Sequence, residues 1–114
     1  MREFSLEKKD KLLKSKEYRS LRTSSKKVES RDFILVYHRN DQTHSRLGTT
    51  VSKKVGCAVK RNRIKRIIRE FFRQNRCMIK RSVDMNVISK KSAAFKTNHH
   101  LMKSLRDVFL KIDS

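Results

Sequence analysis

The chain has 114 residues, the size of one domain with one core. Lys and Arg number 31 against 11 Asp and Glu, for a formal charge of +20, and hydrophobic residues make up 36%. That imbalance opposes a compact state and suits a polyanionic partner, and no apolar run approaches the roughly 20 residues of a membrane-spanning helix.

The N-terminal MREFSLEKKDKLLKSK has no apolar centre, so it does not read as a secretory signal. Residues 1–14 read as a basic arm, with Phe4, Leu6, Leu12 and Leu13 as its apolar anchors. A short helix is expected next, with Ser15 at its start and Tyr18 and Leu21 facing inward. Thr23-Ser24-Ser25-Lys26-Lys27 reads as a loop, with a weak edge strand near Val28. Phe33-Ile34-Leu35-Val36-Tyr37 is too short for a helix and reads as a strand covered on both faces. Asn40-Asp41-Gln42 starts a turn. Leu47, Thr49 and Val51 then alternate with Gly48, Thr50 and Ser52 as another strand. A long helix follows. Val83, Met85 and Val87 alternate with Asp84 and Asn86 in a further strand. Thr97 or Asn98 caps a last helix with Leu101, Leu105, Val108, Phe109 and Ile112 on one stripe.

The expected fold is therefore α+β: a small α/β sandwich of about four strands and three helices in the order α-β-β-β-α-β-α. All of residues 1–114 read as one RNA-binding domain. The strand-helix-strand unit over residues 47–88 predicts a parallel strand pair, and the general rule gives it a right-handed crossover.

The long helix carries the chemistry. On a wheel of about 100° per residue, Ile67, Ile68, Phe71, Phe72, Met78 and Ile79 fall within about 80° of Ile64 and form a core face. Asn62, Arg66, Arg69 and Arg73 form a ridge on the opposite face, flanked by Lys65, Arg76 and Arg63. From Ser52 to Arg81 there are 12 Lys and Arg and one acid, Glu70, for a net charge of +11. Guanidinium groups at this density repel one another but match phosphates, to which they donate in a planar fork. Asn62 among them can read a base edge or a 2′-hydroxyl. Solvated faces, membrane-bound helices and calmodulin targets also carry basic stripes. The single sign of the ridge, the absence of Trp and the commitment of the apolar face to a core favour nucleic acid.

The cysteines, Cys57 and Cys77, would lie about 30 Å apart along this helix, too far to bond. As free thiols they suit a reducing cytoplasm. Cys57 is expected on the apolar face as a small core residue, and Cys77 on the polar side. Tyr18, Phe33 and Tyr37 are candidates for stacking on unpaired bases or for the core. His38, His44, His99 and His100 show no metal-ligand spacing, and His99 and His100 should point to different sides of a helix. No Gly-rich phosphate loop and no orienting group for a Cys or His nucleophile is evident. These residues describe a small basic RNA-binding domain that is not itself a catalyst.

The stretch LGTTVSKKVGCAVKRNRIKRIIREFF closely resembles the signature region of the bacterial ribonuclease P protein subunit. The match comprises the strand ending Val51-Ser52-Lys53-Lys54, the Arg61-Asn62-Arg63 triplet, Ile64-Lys65-Arg66, and Arg69-Glu70-Phe71-Phe72. The FSLEKKDKLLKSKEY start is similar to the family's arm and first helix, and VDMNVISKKSA to its last strand. The resemblance implies a ribosomal protein S5 domain 2-like sandwich whose strand-helix-strand crossover is left-handed, against the general rule. It implies the family's activity, removal of the 5′ leader of precursor tRNA by hydrolysis. An RNA subunit is the catalyst there and uses Mg2+ bound mainly by RNA and substrate phosphates.

Position by position, the resemblance gives Lys53, Lys54, Lys60, Arg61, Asn62, Arg63, Lys65, Arg66, Arg69 and Arg73 as contacts to the ribonuclease P RNA. Tyr18, Phe33 and Val36 line the leader cleft, with the side of the sheet left open between Phe33 and Val36. No residue of the protein is catalytic or metal-ligating in this reading, and the free protein is a monomer. The sequence departs from the family at Arg22, where a second aromatic is common, at Thr23-Ser24-Ser25, which lack a glycine, and at Ser92, where proline is common. The rival readings are a structural RNA binder of ribosomal-protein type and a stand-alone nuclease. The nuclease would need clustered carboxylates for a metal, and the eleven acids are scattered.

Overall fold

A computed structural model describes residues 26–40, 44–79 and 82–112. Strand β1 spans Lys26–Glu29, β2 Phe33–Arg39, β3 Arg46–Thr50 and β4 Val83–Ser89; helix α1 spans Ala58–Gln74 and α2 Asn98–Leu110. The four strands make one sheet in the order β1-β2-β4-β3. β1 runs antiparallel to β2 and β2 antiparallel to β4, while β3 runs parallel to β4 with α1 as the connection. The expected first helix, with Ser15, Tyr18 and Leu21, lies outside the described residues. Within them, the mixed architecture of a four-stranded sheet and two α-helices stands as expected.

Alternation decides which face of the sheet is core. In β2, Phe33, Leu35 and Tyr37 are 0–3% exposed, while Ile34, Val36 and His38 between them are half-buried. β4 repeats this, with Val83, Met85 and Val87 in the core. The β2 run is therefore covered fully on one side only, which corrects the two-sided expectation. α1 lays Ile64, Ile67, Ile68, Phe71 and Phe72 on the core face. α2 lies beside it with Leu101, Leu105, Val108 and Phe109. The Phe109 ring meets Phe71 edge-on, with centroids 4.9 Å apart, and Phe72 at 6.5 Å. Each such buried side chain contributes roughly 1.5–3 kcal/mol before entropy costs.

The helix ends differ from expectation in informative ways. α1 stops at Gln74 instead of running on to Met78 and Ile79. Asn75 ends it by donating both its backbone N–H and its side-chain amide to the Phe71 carbonyl, at 3.0 and 2.9 Å. A short 3-10 turn, Arg76–Met78, then redirects the chain, and Ile79 packs against the edge of the core. α2 starts at Thr97, whose hydroxyl accepts the His100 N–H at 3.2 Å. The 3-10 segment Lys91–Phe95 before it buries Ala93 and Ala94.

Two polar knots lock the sheet. Ser92 Oγ donates to Asp32 Oδ1 at 2.7 Å, the Asp32 N–H donates to Ser104 Oγ at 3.2 Å, and Ser104 bonds Ser30 at 2.9 Å. Ser92 thus ties the 3-10 segment to the β1–β2 turn. At the other end, Asp84 is 4% exposed. It accepts Arg46 Nε and Nη2 at 2.8 and 2.6 Å and Asn40 Nδ2 at 2.7 Å. Burial pushes the Asp84 carboxyl up, but the hydrogen bonds from Arg46 and Asn40, with the Arg46 charge, outweigh it and hold the carboxyl below its ordinary value.

Candidate nucleic-acid interface

The basic surface begins at the turn after β3. Val51 and Val55 are buried, and the Val55 N–H donates to the Ser52 carbonyl at 3.0 Å, so Lys53 and Lys54 project into solvent between two anchors. Gly56 then passes close under Lys60: a Cβ at this position would lie 3.2 Å from Lys60 Cδ. Cys57 is the N-cap of α1 and is exposed, which corrects its assignment to the core. The backbone N–H of Lys60 points at its thiol and pushes its pKa down. Cys77 is also free and exposed, in the 3-10 turn after α1.

No acid occupies the first turn of α1. The positive end of its dipole therefore adds to the charge of Lys60, Arg61 and Arg63. Along α1 the polar side chains divide by geometry. Lys60, Asn62, Arg66 and Arg69 are exposed. Arg66 and Arg69 make no ion pair or hydrogen bond among the described residues. Lys65 is half-buried on the flank. Arg61 is partly committed, since its Nε donates to the Gly56 carbonyl at 3.2 Å. Arg63 turns toward α2, donating to the Lys96 carbonyl and, at 3.1 Å, to Asn98 Oδ1. Arg73 pairs with Glu70, which also accepts Gln74 Nε2 at 3.0 Å. The expected four-residue ridge is thus an open trio of Asn62, Arg66 and Arg69, with Arg73 neutralised locally by Glu70.

The expected cleft residues separate. Phe33 is 0% exposed beneath the helices and lines no accessible surface, a correction to its place in the cleft. Val36 lies on the opposite, half-open face of the sheet, level with Asn86 in β4 and Lys27 in β1. Ile34 and Ile88 continue this face, and Thr50 and Asn86 hydrogen-bond across it at 3.0–3.1 Å. Tyr37 is core, 3% exposed. Tyr18 lies outside the described residues. Among the described residues, α1 and this half-buried sheet face are two distinct surfaces, because the core lies between them.

One exposed aromatic belongs to no periodic pattern in the sequence. Phe95 is 81% exposed, with Lys60 Nζ 5.2 Å from its ring centroid. His99 and His100, expected on different sides of the helix, bring their rings edge-on to 6.2 Å, and His100 Nδ1 is engaged by the Thr97 hydroxyl at 2.9 Å. Among the described residues, no three His, Cys, Asp or Glu side chains converge to hold a metal ion, and no helix is long and apolar enough to cross a membrane.

A family model described as Ribonuclease P matches residues 6–113. A ribonuclease P protein component from Desulfosudis oleivorans is 46% identical over 111 residues, spanning 97% of this chain and 92% of the relative. The solved Staphylococcus aureus RNase P protein superposes with a TM-score of 0.84 at 36% identity, over 90% of this chain and 94% of that one. The Thermotoga maritima RNase P protein gives a TM-score of 0.83 at 26% identity, over 91% of this chain and 98% of that one. The chain belongs to the ribonuclease P protein family.

Proposed function

We propose that this chain, as a ribonuclease P protein component, binds the catalytic RNA of the holoenzyme through α1 and the 5′ leader of precursor tRNA on the sheet face that carries Val36. It thereby promotes removal of the leader and formation of mature tRNA 5′ ends. The observation that carries this reading is the division of α1. One side is sealed into the core by Ile64, Ile68 and Phe72, and the other presents Lys60, Asn62, Arg66 and Arg69 without local neutralisation. That arrangement holds cations at fixed spacing, so phosphates that bind there are positioned relative to the sheet.

In this reading each residue has a limited task. Arg66 and Arg69 donate to phosphate oxygens of the RNA. Asn62, between them and the helix start, offers a donor and an acceptor to a base edge or a 2′-hydroxyl. Lys53, Lys54 and Lys60 extend the field around the α1 N-terminus. Arg61 and Arg63 hold the first turn against Gly56 and the start of α2, with the remaining guanidinium donors turned to RNA. Val36 and its neighbours give the leader a floor of mixed polarity. Among the described residues no three His, Cys, Asp or Glu side chains converge, and the exposed side of α1 offers cations. The metal that this surface serves is held by phosphates of RNA and substrate. The protein's charge lowers the repulsion between those phosphates, and so lowers the Mg2+ needed for cleavage.

The test of the leader surface is affinity of the assembled holoenzyme for precursor tRNA with and without its leader. Val36→Glu should erase the preference for the leader-bearing form while leaving affinity for mature tRNA unchanged. An unaltered preference would show that the leader lies elsewhere. A structural RNA binder would bind the catalytic RNA and show no preference in either form.

A further inference from the structure

We propose that Phe95 is a stacking platform for an unpaired nucleobase of the RNA held along α1, an assignment that rests on the RNA-binding reading above. Phe95 ends the 3-10 segment Lys91–Phe95 and is 81% exposed, the most exposed large hydrophobic side chain among the described residues. An exposed single apolar residue is ordinary, but this one sits on fixed backbone inside a cationic surface. Ala93 and Ala94, next to it, are buried, and Ser92 is bonded to Asp32 at 2.7 Å. The Lys96 N–H donates to the Ala93 carbonyl at 3.2 Å, and Arg63 of α1 grips the Lys96 carbonyl and Asn98. The ring is thus held in place relative to the α1 N-terminus.

Its two faces differ. Lys60 Nζ lies over one at 5.2 Å, a cation–π contact, and the high exposure leaves the other open. Val59, 78% exposed, precedes Lys60 in the first turn of α1 and stands one turn before Arg63, so it shares the side of the helix that Arg63 turns to this segment. Lys91 and Lys96 flank the ring in sequence. A flat apolar face with Lys60 over its other side, and with Lys91 and Lys96 close to it in the chain, fits a partner that offers a π-face and negative charge a few ångströms apart, as a nucleotide does. Bases stack on such rings with little sequence preference, while neighbouring cations hold the phosphate. A bilayer would need a broader apolar face than one ring and one Val.

The sequence contains two Tyr and no Trp, so Phe95→Trp places the sole Trp, which can be excited selectively over Tyr, on the platform. Ribonuclease P RNA added to this full-length variant should quench its emission. Heparin, a polyanion without bases, should not. A Leu110→Trp variant, with the probe about 18 Å further along α2 from Asn98, should be unaffected by either. Titration with RNA alone, then with leader-bearing precursor tRNA, identifies which RNA supplies the base. Phe95→Ala should weaken RNA binding about 5- to 150-fold with an unchanged salt slope, because the lost interaction carries no charge. No quenching, equal quenching by heparin, or wild-type affinity in Phe95→Ala would overturn the platform. If Arg66→Ala with Arg69→Ala still weakens binding in that case, the RNA-binding reading stands without it. If the wild-type chain fails to bind RNA, the broader reading fails first.

Discussion

Arg66 and Arg69 are exposed, sit one turn apart on the face of α1 opposite the core, and have no partner among the described residues to satisfy them. Replacing both with Ala should leave the fold intact and remove two phosphate contacts. Each contact releases about 0.7–0.9 counterion, so the slope of log affinity against log salt should become shallower by about 1.4–1.8. Between about 50 and 200 mM salt, a protein with 6–10 contacts loses about 10³–10⁵ in affinity, and the double variant should lose about tenfold less. The assay is equilibrium binding of ribonuclease P RNA across a salt series, at fixed low Mg2+. The same variant should need more Mg2+ for cleavage in the holoenzyme. Weaker binding with the slope unchanged would refute the reasoning, because the arginines would then act through the fold and not through phosphates.

Three other perturbations probe the framework. Arg63→Ala removes charged hydrogen bonds to the Lys96 carbonyl and Asn98, a loss of about 2 kcal/mol for this part-exposed group, and should lower Tm by about 10 °C. Arg69→Ala serves as the control that leaves Tm in place. Arg46→Leu removes the charge partner of the buried Asp84 carboxylate and leaves it with the Asn40 amide and His38 at 3.8 Å, which should cost about 3 kcal/mol near neutral pH. The folded Asp84 carboxyl lies below its ordinary value, so its contribution is complete above the ordinary carboxylate range and is lost as pH falls through the folded value. Denaturant titrations should therefore show the gap between wild type and variant narrowing on acidification, and a pH-independent gap would contradict the pairing. Cys57, whose thiol is pushed down by the Lys60 N–H at the start of α1, should alkylate readily in the free protein and slowly once RNA is bound, with Cys77 as internal reference. Equal Cys57 labelling rates with and without RNA would place the RNA away from the α1 N-terminus.

The long helix was legible because its apolar and basic residues separate cleanly at the helical period, from Ile64 through Phe72. Its end was not, since Met78 and Ile79 continue the apolar stripe by arithmetic. What stops the helix is the capture of the Phe71 carbonyl by Asn75, and the need to turn the chain into β4. Alternation in β2 separated Phe33 and Val36 onto two faces, but both faces are apolar. Only the placement of α1 and α2 shows that Phe33 is core. Asp84 read as an outward position on an alternating strand, and its burial depends on Arg46, 38 residues earlier in the chain. Arg63 read as one more member of the basic shoulder, whereas its partners lie 33 and 35 residues away. Phe95 carried no periodic signal, and its meaning comes from Lys60 across a tertiary contact. Local period was visible in the letters; pairing across the fold was not.

The function proposed for this chain is promotion of leader removal by the catalytic RNA. Single-turnover cleavage of a leader-bearing precursor tRNA at low Mg2+ tests it most directly, with a bacterial ribonuclease P RNA alone, with the RNA plus this protein, and with the protein alone. Stimulation should require both the RNA and the leader, and the protein alone should cleave nothing. Tight binding to the RNA without any stimulation would contradict it and leave a basic RNA-binding domain with no part in the reaction.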